Sequence, residues 1–263
     1  MEPIFILVLA LSALIGVTLG LLGGGGSILT VPLLVYVAGF GEKEAIAASL
    51  FIVGTTSIVA TIGHARNRRV QWRTGLIFGA ASMIGAFAGG WIGGYVPGNI
   101  LLILFAIMML ATSIAMIRGR KKPKVLASAE TTDAPVAPRS LPLGRILLDG
   151  GVVGLATGMV GAGGGFLVVP ALNLLGGLPM AVAVGTSLLV IVMKSFAGLS
   201  GYLFSVQLDW TPVLAITGMA ILGSFAGAAL AGKINETKLR KIFGYFVLVM
   251  GVFVLGQELI ALI

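Results

Sequence analysis

Residues 20–32 read GLLGGGGSILTVP, and residues 158–170 read GMVGAGGGFLVVP. Each is a glycine run closed by a proline inside an apolar stretch, and the two lie 138 residues apart. Glycine takes left-handed dihedrals at little cost and lets another group approach its backbone closely. Proline lacks the amide donor that a continuing helix needs. A chain that only had to cross an apolar layer would use neither.

The surrounding chain is apolar enough to require such a layer. Of its 263 residues 58% are hydrophobic and 10% charged, against about 25% charged in a soluble domain. Long apolar segments recur from end to end, and about 20 residues span a bilayer as a helix. The expected class is an all-α polytopic membrane protein, with the lipid bilayer as its first partner. The 40 glycines fit close packing of membrane helices through small residues. The start, MEPIFILVLALSALIG, has no basic region before its apolar run and does not read as a secretory signal. The absence of cysteine excludes disulfides and thiolate chemistry. The net charge of +8 does not point to nucleic acid, because the cations sit in short loops, as membrane topology requires.

Sliding the sequence by 138 aligns its halves without a gap. Gly16, Gly20, Gly23, Gly26, Pro32 and Ser49 meet Gly154, Gly158, Gly161, Gly164, Pro170 and Ser187; Trp72 meets Trp210. This is a duplicated unit. Residues 1–117 form the first transmembrane repeat, 118–144 a basic then Ala/Thr/Pro-rich flexible linker, and 145–263 the second repeat. The expected segments are 4–22, 27–40, 45–63, 74–94 and 99–117, then 146–160, 165–177, 181–204, 212–232 and 238–261. The second segment of each repeat is short for a full span.

Charge sets the orientation. The loop before Trp72 carries Arg66, Arg68 and Arg69, whereas its counterpart before Trp210 carries no cation. The loop after 74–94 carries none, whereas its counterpart carries Lys233, Lys238, Arg240 and Lys241. Equivalent loops therefore lie on opposite sides by the positive-inside rule. The repeats are expected to be inverted, with the linker cytoplasmic and both termini outside.

Inverted repeats with interrupted helices place their sites near mid-membrane, where irregular backbone is tolerated only if buried in protein or lining a cavity. The two glycine-broken hairpins are expected to meet there, with Ser27 and Gly165 opening the helices that follow. Helix N-termini favour anions, but the preceding helix ends at the same loop with free carbonyls, so the loop alone does not fix the sign of a ligand. Lys194 bears on the sign. It is the only charged side chain deep within an expected span, where a cation costs at least about 2.5–3.5 kcal/mol. With no acidic residue at comparable depth, a small anionic substrate or backbone carbonyls are its expected partners. Its repeat mate is Thr56. Hydroxyls at Thr55, Thr56, Ser57, Ser49, Thr186, Ser187 and Ser195 line the third segments, though serine and threonine also bond their own helix. The residues singled out for substrate contact are Gly24, Gly25, Gly26, Ser27, Ser49, Thr56, Gly163, Gly164, Gly165, Thr186, Ser187 and Lys194. His64 reads as an interfacial residue. Gly85, Gly89 and Gly93, with Gly223, Gly227 and Ala231, read as helix-contact stripes.

Two copies of a G-x-x-x-G-x-x-G-G-G-G-[SG]-x-x-x-x-P unit, Gly16–Pro32 and Gly154–Pro170, are each followed by an A-x-[GA]-[TA]-S-L segment, Ala45–Leu50 and Ala183–Leu188. This pattern resembles the TauE/SafE sulfite exporter family, also called TSUP, over nearly the whole chain except the linker. The resemblance implies a bacterial inner-membrane permease for small sulfur-containing or organic anions such as sulfite, thiosulfate or sulfoacetate. Substrate identity does not carry over with the shared motif. The first repeat has Ala48 where the second has Thr186, which makes the Thr186–Ser187 side the better polar candidate.

The expected mechanism is alternating access around a central anion site, with no cofactor and no metal. A negative-inside potential drives anion export by about 2.3 kcal/mol per charge per 100 mV; no buried carboxylate or histidine stands out as a proton carrier. An anion channel and a cation-coupled permease for another organic acid stay open as alternatives. An intramembrane enzyme needs a nucleophile–base pair or metal ligands within the spans; one histidine and no cysteine do not supply them. The sequence does not set the oligomeric state.

Overall fold

The computed structural model describes residues 3–118, 143–161, 165–174, 178, 180–230 and 236–261. Almost all of the expected linker 118–144 falls outside them. Ten α-helices follow one another: α1 (Pro3–Leu22), α2 (Thr30–Tyr36), α3 (Glu42–Arg66), α4 (Trp72–Tyr95), α5 (Gly98–Arg118), α6 (Leu143–Val160), α7 (Gly165–Leu174), α8 (Met180–Tyr202), α9 (Trp210–Leu230) and α10 (Glu236–Ala261). Gly23–Leu29 forms a 3-10 helix, and no strand occurs among the described residues. Among the described residues five helices carry windows long and apolar enough to cross a membrane, Ile4–Leu21, Glu42–Arg66, Trp72–Tyr95, Val182–Tyr202 and Trp210–Leu230.

Helix limits follow the end charges. α3 runs beyond the expected 45–63, with Glu42 and Glu44 in its first turn and Arg66 in its last, each complementing the local helix dipole. The outer faces are apolar: Ile84 is 77% exposed and Phe204 71%. The interior holds, among apolar side chains such as Leu19, Ile28 and Phe105, the hydroxyls of Ser12, Ser49, Ser57, Thr56 and Ser195. Hydroxyls inside and large apolar side chains outside suit a chain solvated by lipid. Trp72 and Trp210 open α4 and α9 half-exposed, as interfacial aromatics do.

Glycine decides which helices touch. A Cβ on Gly16 would lie 2.0 Å from the Ala220 carbonyl oxygen, and one on Gly223 would lie 2.0 Å from that of Ala13. The same contacts recur 138 residues on: a Cβ on Gly154 would lie 2.2 Å from the Ser82 carbonyl oxygen, and one on Gly85 2.1 Å from that of Gly151. Helix α1 of the first repeat is thus zipped to α9 of the second, and α6 of the second to α4 of the first. In both pairs residue numbers rise together (Gly16 with Ala220, Gly20 with Ser224), so the paired helices run parallel. The stripes at Gly85, Gly89, Gly223 and Gly227 are helix contacts, as expected; Ala231 lies outside the described residues.

Between these flanks α3 packs on α8, its own repeat equivalent, and α5 packs likewise on α10. The α3–α8 register runs in opposite senses: Gly185 faces His64, Ser195 and Phe196 face Gly54, and Gly198 faces Leu50. Equivalent helices therefore lie antiparallel. The point at which the register brings a residue level with its own repeat mate falls at Thr55–Thr56 on α3 and Met193–Lys194 on α8.

Candidate functional site

The first glycine run is not an open break. Its 3-10 turns lead directly into α2, which begins at Thr30 with Leu29 as N-cap and no side-chain cap. Ser27 is fully buried within those turns and does not open the helix, which corrects the sequence expectation. The i→i+3 bonds of a 3-10 helix occupy backbone groups that an open break would leave free. Gly24 and Gly25 lie in the same turns. Gly26 must be glycine: a Cβ there would stand 2.5 Å from the Leu19 amide nitrogen and 2.9 Å from the Ile15 carbonyl oxygen. The chain folds back onto α1 at that residue.

The second run breaks differently. Gly161 ends α6 in the left-handed region, with φ +73°, and its amide donates to the Thr157 carbonyl at 3.1 Å. Gly165 opens α7, as expected. Gly163 and Gly164 lie outside the described residues. The break is held from across the molecule. Ser49 Oγ lies 2.5 Å from the Gly161 carbonyl oxygen and 2.7 Å from that of Ile46 on its own helix. One hydroxyl proton is shared between the two acceptors. Ile46 itself fills the space where Gly161 would carry a Cβ.

Lys194 is 1% exposed. Its Nζ donates to Thr157 Oγ1 at 3.0 Å, and Thr157 in turn donates to the Val153 carbonyl at 2.7 Å. The Lys194 amine therefore rests on a hydroxyl one helical turn before the Gly161 break, at the level where α3 and α8 cross. Sequence reading placed Lys194 at depth but did not find Thr157, whose repeat mate is Leu19.

The other hydroxyls divide. Thr56 donates to the Ile52 carbonyl at 2.6 Å and Ser187 to that of Val184 at 2.7 Å, each within its own helix. Thr186 accepts the Gln71 amide at 3.0 Å and anchors the loop between α3 and α4. It lies about 12 Å along α8 from Lys194 at 1.5 Å per residue, so the structure does not bring the Thr186–Ser187 side to the lysine. Ser57 Oγ and Ser195 Oγ, by contrast, are buried without a partner.

Two further buried groups stand apart from this centre. His64 is 6% exposed near the end of α3, with Nδ1 unpartnered among the described residues; it lies beside the Gly20 carbonyl and under Gly185. Glu258 is 7% exposed near the end of α10 and accepts the Tyr36 hydroxyl at 2.8 Å. It is a buried carboxylate that the sequence did not reveal. Among the described residues no cluster of three or more His, Cys, Asp or Glu is placed to hold a metal.

A multi-pass helical chain with a buried lysine where its central helices cross suits the class of membrane transporters. The comparisons give the family. Residues 8–254 match the model of the sulfite exporter TauE/SafE family. A probable membrane transporter protein of Xylella fastidiosa is 34% identical over 95% of this chain and 94% of its own. One of Methanocaldococcus jannaschii is 27% identical over 95% and 97%, and the probable membrane transporter protein YunE of Bacillus subtilis is 26% identical over 94% and 96%. The chain belongs to the TauE/SafE sulfite exporter family. No solved structure matches it.

Proposed function

We propose that the protein is an alternating-access transporter of small sulfur-containing or organic anions, such as sulfite, thiosulfate or sulfoacetate, exporting them across a bacterial inner membrane. The observation that carries this reading is Lys194, a buried lysine bonded to an uncharged hydroxyl where the two repeats cross. A buried cation is rare, costly and functional when it occurs in a span; here an anionic ligand supplies the missing countercharge. Membership of the sulfite exporter TauE/SafE family supports a sulfur oxyanion as first candidate.

The antiparallel packing of α3 on α8 supports inverted repeats, and inversion is the arrangement in which rocking of one bundle of helices against another exposes a central site to each side in turn. The glycine-zipped pairs α1·α9 and α4·α6 are the rigid bodies of that motion. The linker is cytoplasmic and both termini face outside, in line with Arg66, Arg68 and Arg69 on the α3–α4 loop. The residues that touch substrate are Lys194 and hydroxyls beside it; Ser49 positions the second break.

Thermal melting of the detergent-purified protein tests the reading against sulfite, thiosulfate, sulfoacetate, acetate, chloride and sodium. A ligand that binds only the folded state raises the melting point by mass action. The expected result is stabilisation by an anion and its loss in Lys194→Met. Stabilisation by sodium alone would reverse the sign of the site and overturn the proposal.

A further inference from the structure

Serines in these helices mostly donate to a carbonyl three or four residues back. Ser12, Ser49, Ser187 and Ser224 all do so. Ser57 and Ser195 depart from that habit: both are 0% exposed and neither hydroxyl has a hydrogen-bond partner among the described residues. They are repeat mates at the same offset of 138. Thr30, Ser82 and His64 also keep an unpartnered atom, but their mates Val168, Ala220 and Tyr202 make no such pair with them. An unpartnered buried hydroxyl is disfavoured, so two at equivalent positions call for a ligand.

Their placement defines where it sits. Ser195 Cβ lies 3.2 Å from where Gly54 would carry its Cβ, so Ser195 faces α3. On α3 the contact residues Leu50, Gly54 and His64 fall on the stripe 50, 54, 57, 61, 64, whose alternating steps of four and three keep one helix face toward a partner. That stripe includes Ser57. The two serines therefore flank the level of Thr55–Thr56 and Met193–Lys194, one from each repeat. Lys194 immediately precedes Ser195.

We propose that Ser57 and Ser195 form a symmetric donor pair for the substrate. Each gives its hydroxyl proton to one of two equivalent oxygens of a single oxyanion head at the α3–α8 crossing. The proposal rests on the anion reading above and deepens it. Lys194 attracts any small anion; the serine pair selects heads with two or more equivalent oxygens on one atom, such as sulfite, sulfonate or carboxylate, over a halide. A site built to donate hydrogen bonds rejects a ligand that leaves those donors unpaired. Ligand contact requires α3 and α8 to part at Gly54, the small residue between them.

The test uses the full chain in detergent, with Ser57→Ala, Ser195→Ala, the double variant and Lys194→Met, titrated with sulfite and with chloride while melting is followed. Removing an unpartnered hydroxyl leaves the ligand-free melting point unchanged or raises it. Each single variant is expected to weaken sulfite about tenfold, the two equally, and the double variant about 100-fold, the range for lost bonds to a charged acceptor. The response to chloride stays as in the parent. Lower ligand-free stability in the alanine variants would assign the serines a structural role and overturn the proposal. So would an effect confined to one serine. A sulfite response lost in Lys194→Met but kept in the double variant would overturn the serine pair and leave the anion site standing. A parent protein that responds to no anion would overturn both.

Discussion

The flanks of the molecule and its centre are built from different helices under opposite rules. In α1·α9 and α4·α6, glycine Cα atoms rest against backbone carbonyls, with room for no other side chain. At the α3–α8 crossing the interior holds a lysine on a neutral hydroxyl and two serines with nothing to bond. The flanks gain close backbone contact and leave a single hydroxyl, Ser82, without a partner among the described residues. The centre carries unmet polar groups that a purely structural interface would have replaced with alanine or valine. The contrast separates scaffold from site without reference to any ligand.

Substitutions at the flanks test the scaffold half. Gly16→Ala and Gly223→Ala each force a methyl into a carbonyl contact and are expected to lower stability by about 3 kcal/mol, or to abolish folded yield. Chromatography and melting of the purified protein check this. Folding unaffected by either change would mean that the zippers are not rigid. At the centre, Lys194→Met is expected to keep or raise ligand-free stability while abolishing transport. A loss of both together would place Lys194 with the scaffold.

Smaller effects test the elements between the two. Ser49→Ala leaves the Gly161 carbonyl short of its cross-repeat donor and is expected to cost about 1–2 kcal/mol and to slow transport, because the second break loses its anchor. A threonine restores the hydroxyl, so recovery in Ser49→Thr separates the bond from mere packing. Smallest of all, Gly218 lies on α9 with open space where a Cβ would go. Gly218→Ala is expected to gain up to about 1 kcal/mol of helix stability, against the loss at Gly223 on the same helix.

The sequence made much of this legible and hid the rest for physical reasons. Repeats, glycine stripes and the buried lysine are local or periodic signals, and α1, α4, α8 and α9 fall close to their expected limits. Thr157 was hidden because its partner lies 37 residues away and its repeat mate is a leucine. Glu258 sits near a helix end, where an acid normally meets water; only the packing that brings Tyr36 against it, 222 residues distant in sequence, buries it. The Ser27 expectation failed because a glycine run says that the backbone turns but not whether it turns as an open loop or as 3-10 helix. Thr186 and Ser187 were chosen for their place in a motif, yet motif position does not report which way a hydroxyl points. Ser57 and Ser195 were visible as a matched pair in the 138-residue alignment, but their lack of partners is a property of the folded state alone.

The most direct measurement is anion counterflow in proteoliposomes that hold the purified protein. Vesicles loaded with unlabelled sulfite are diluted into labelled sulfite, and uptake is followed for the parent chain and for Lys194→Met. Saturable uptake accelerated by internal sulfite, and absent from Lys194→Met, is the outcome expected of an alternating-access anion site at the repeat crossing. Non-saturating uptake that ignores internal sulfite, or counterflow that persists without the lysine, would contradict it.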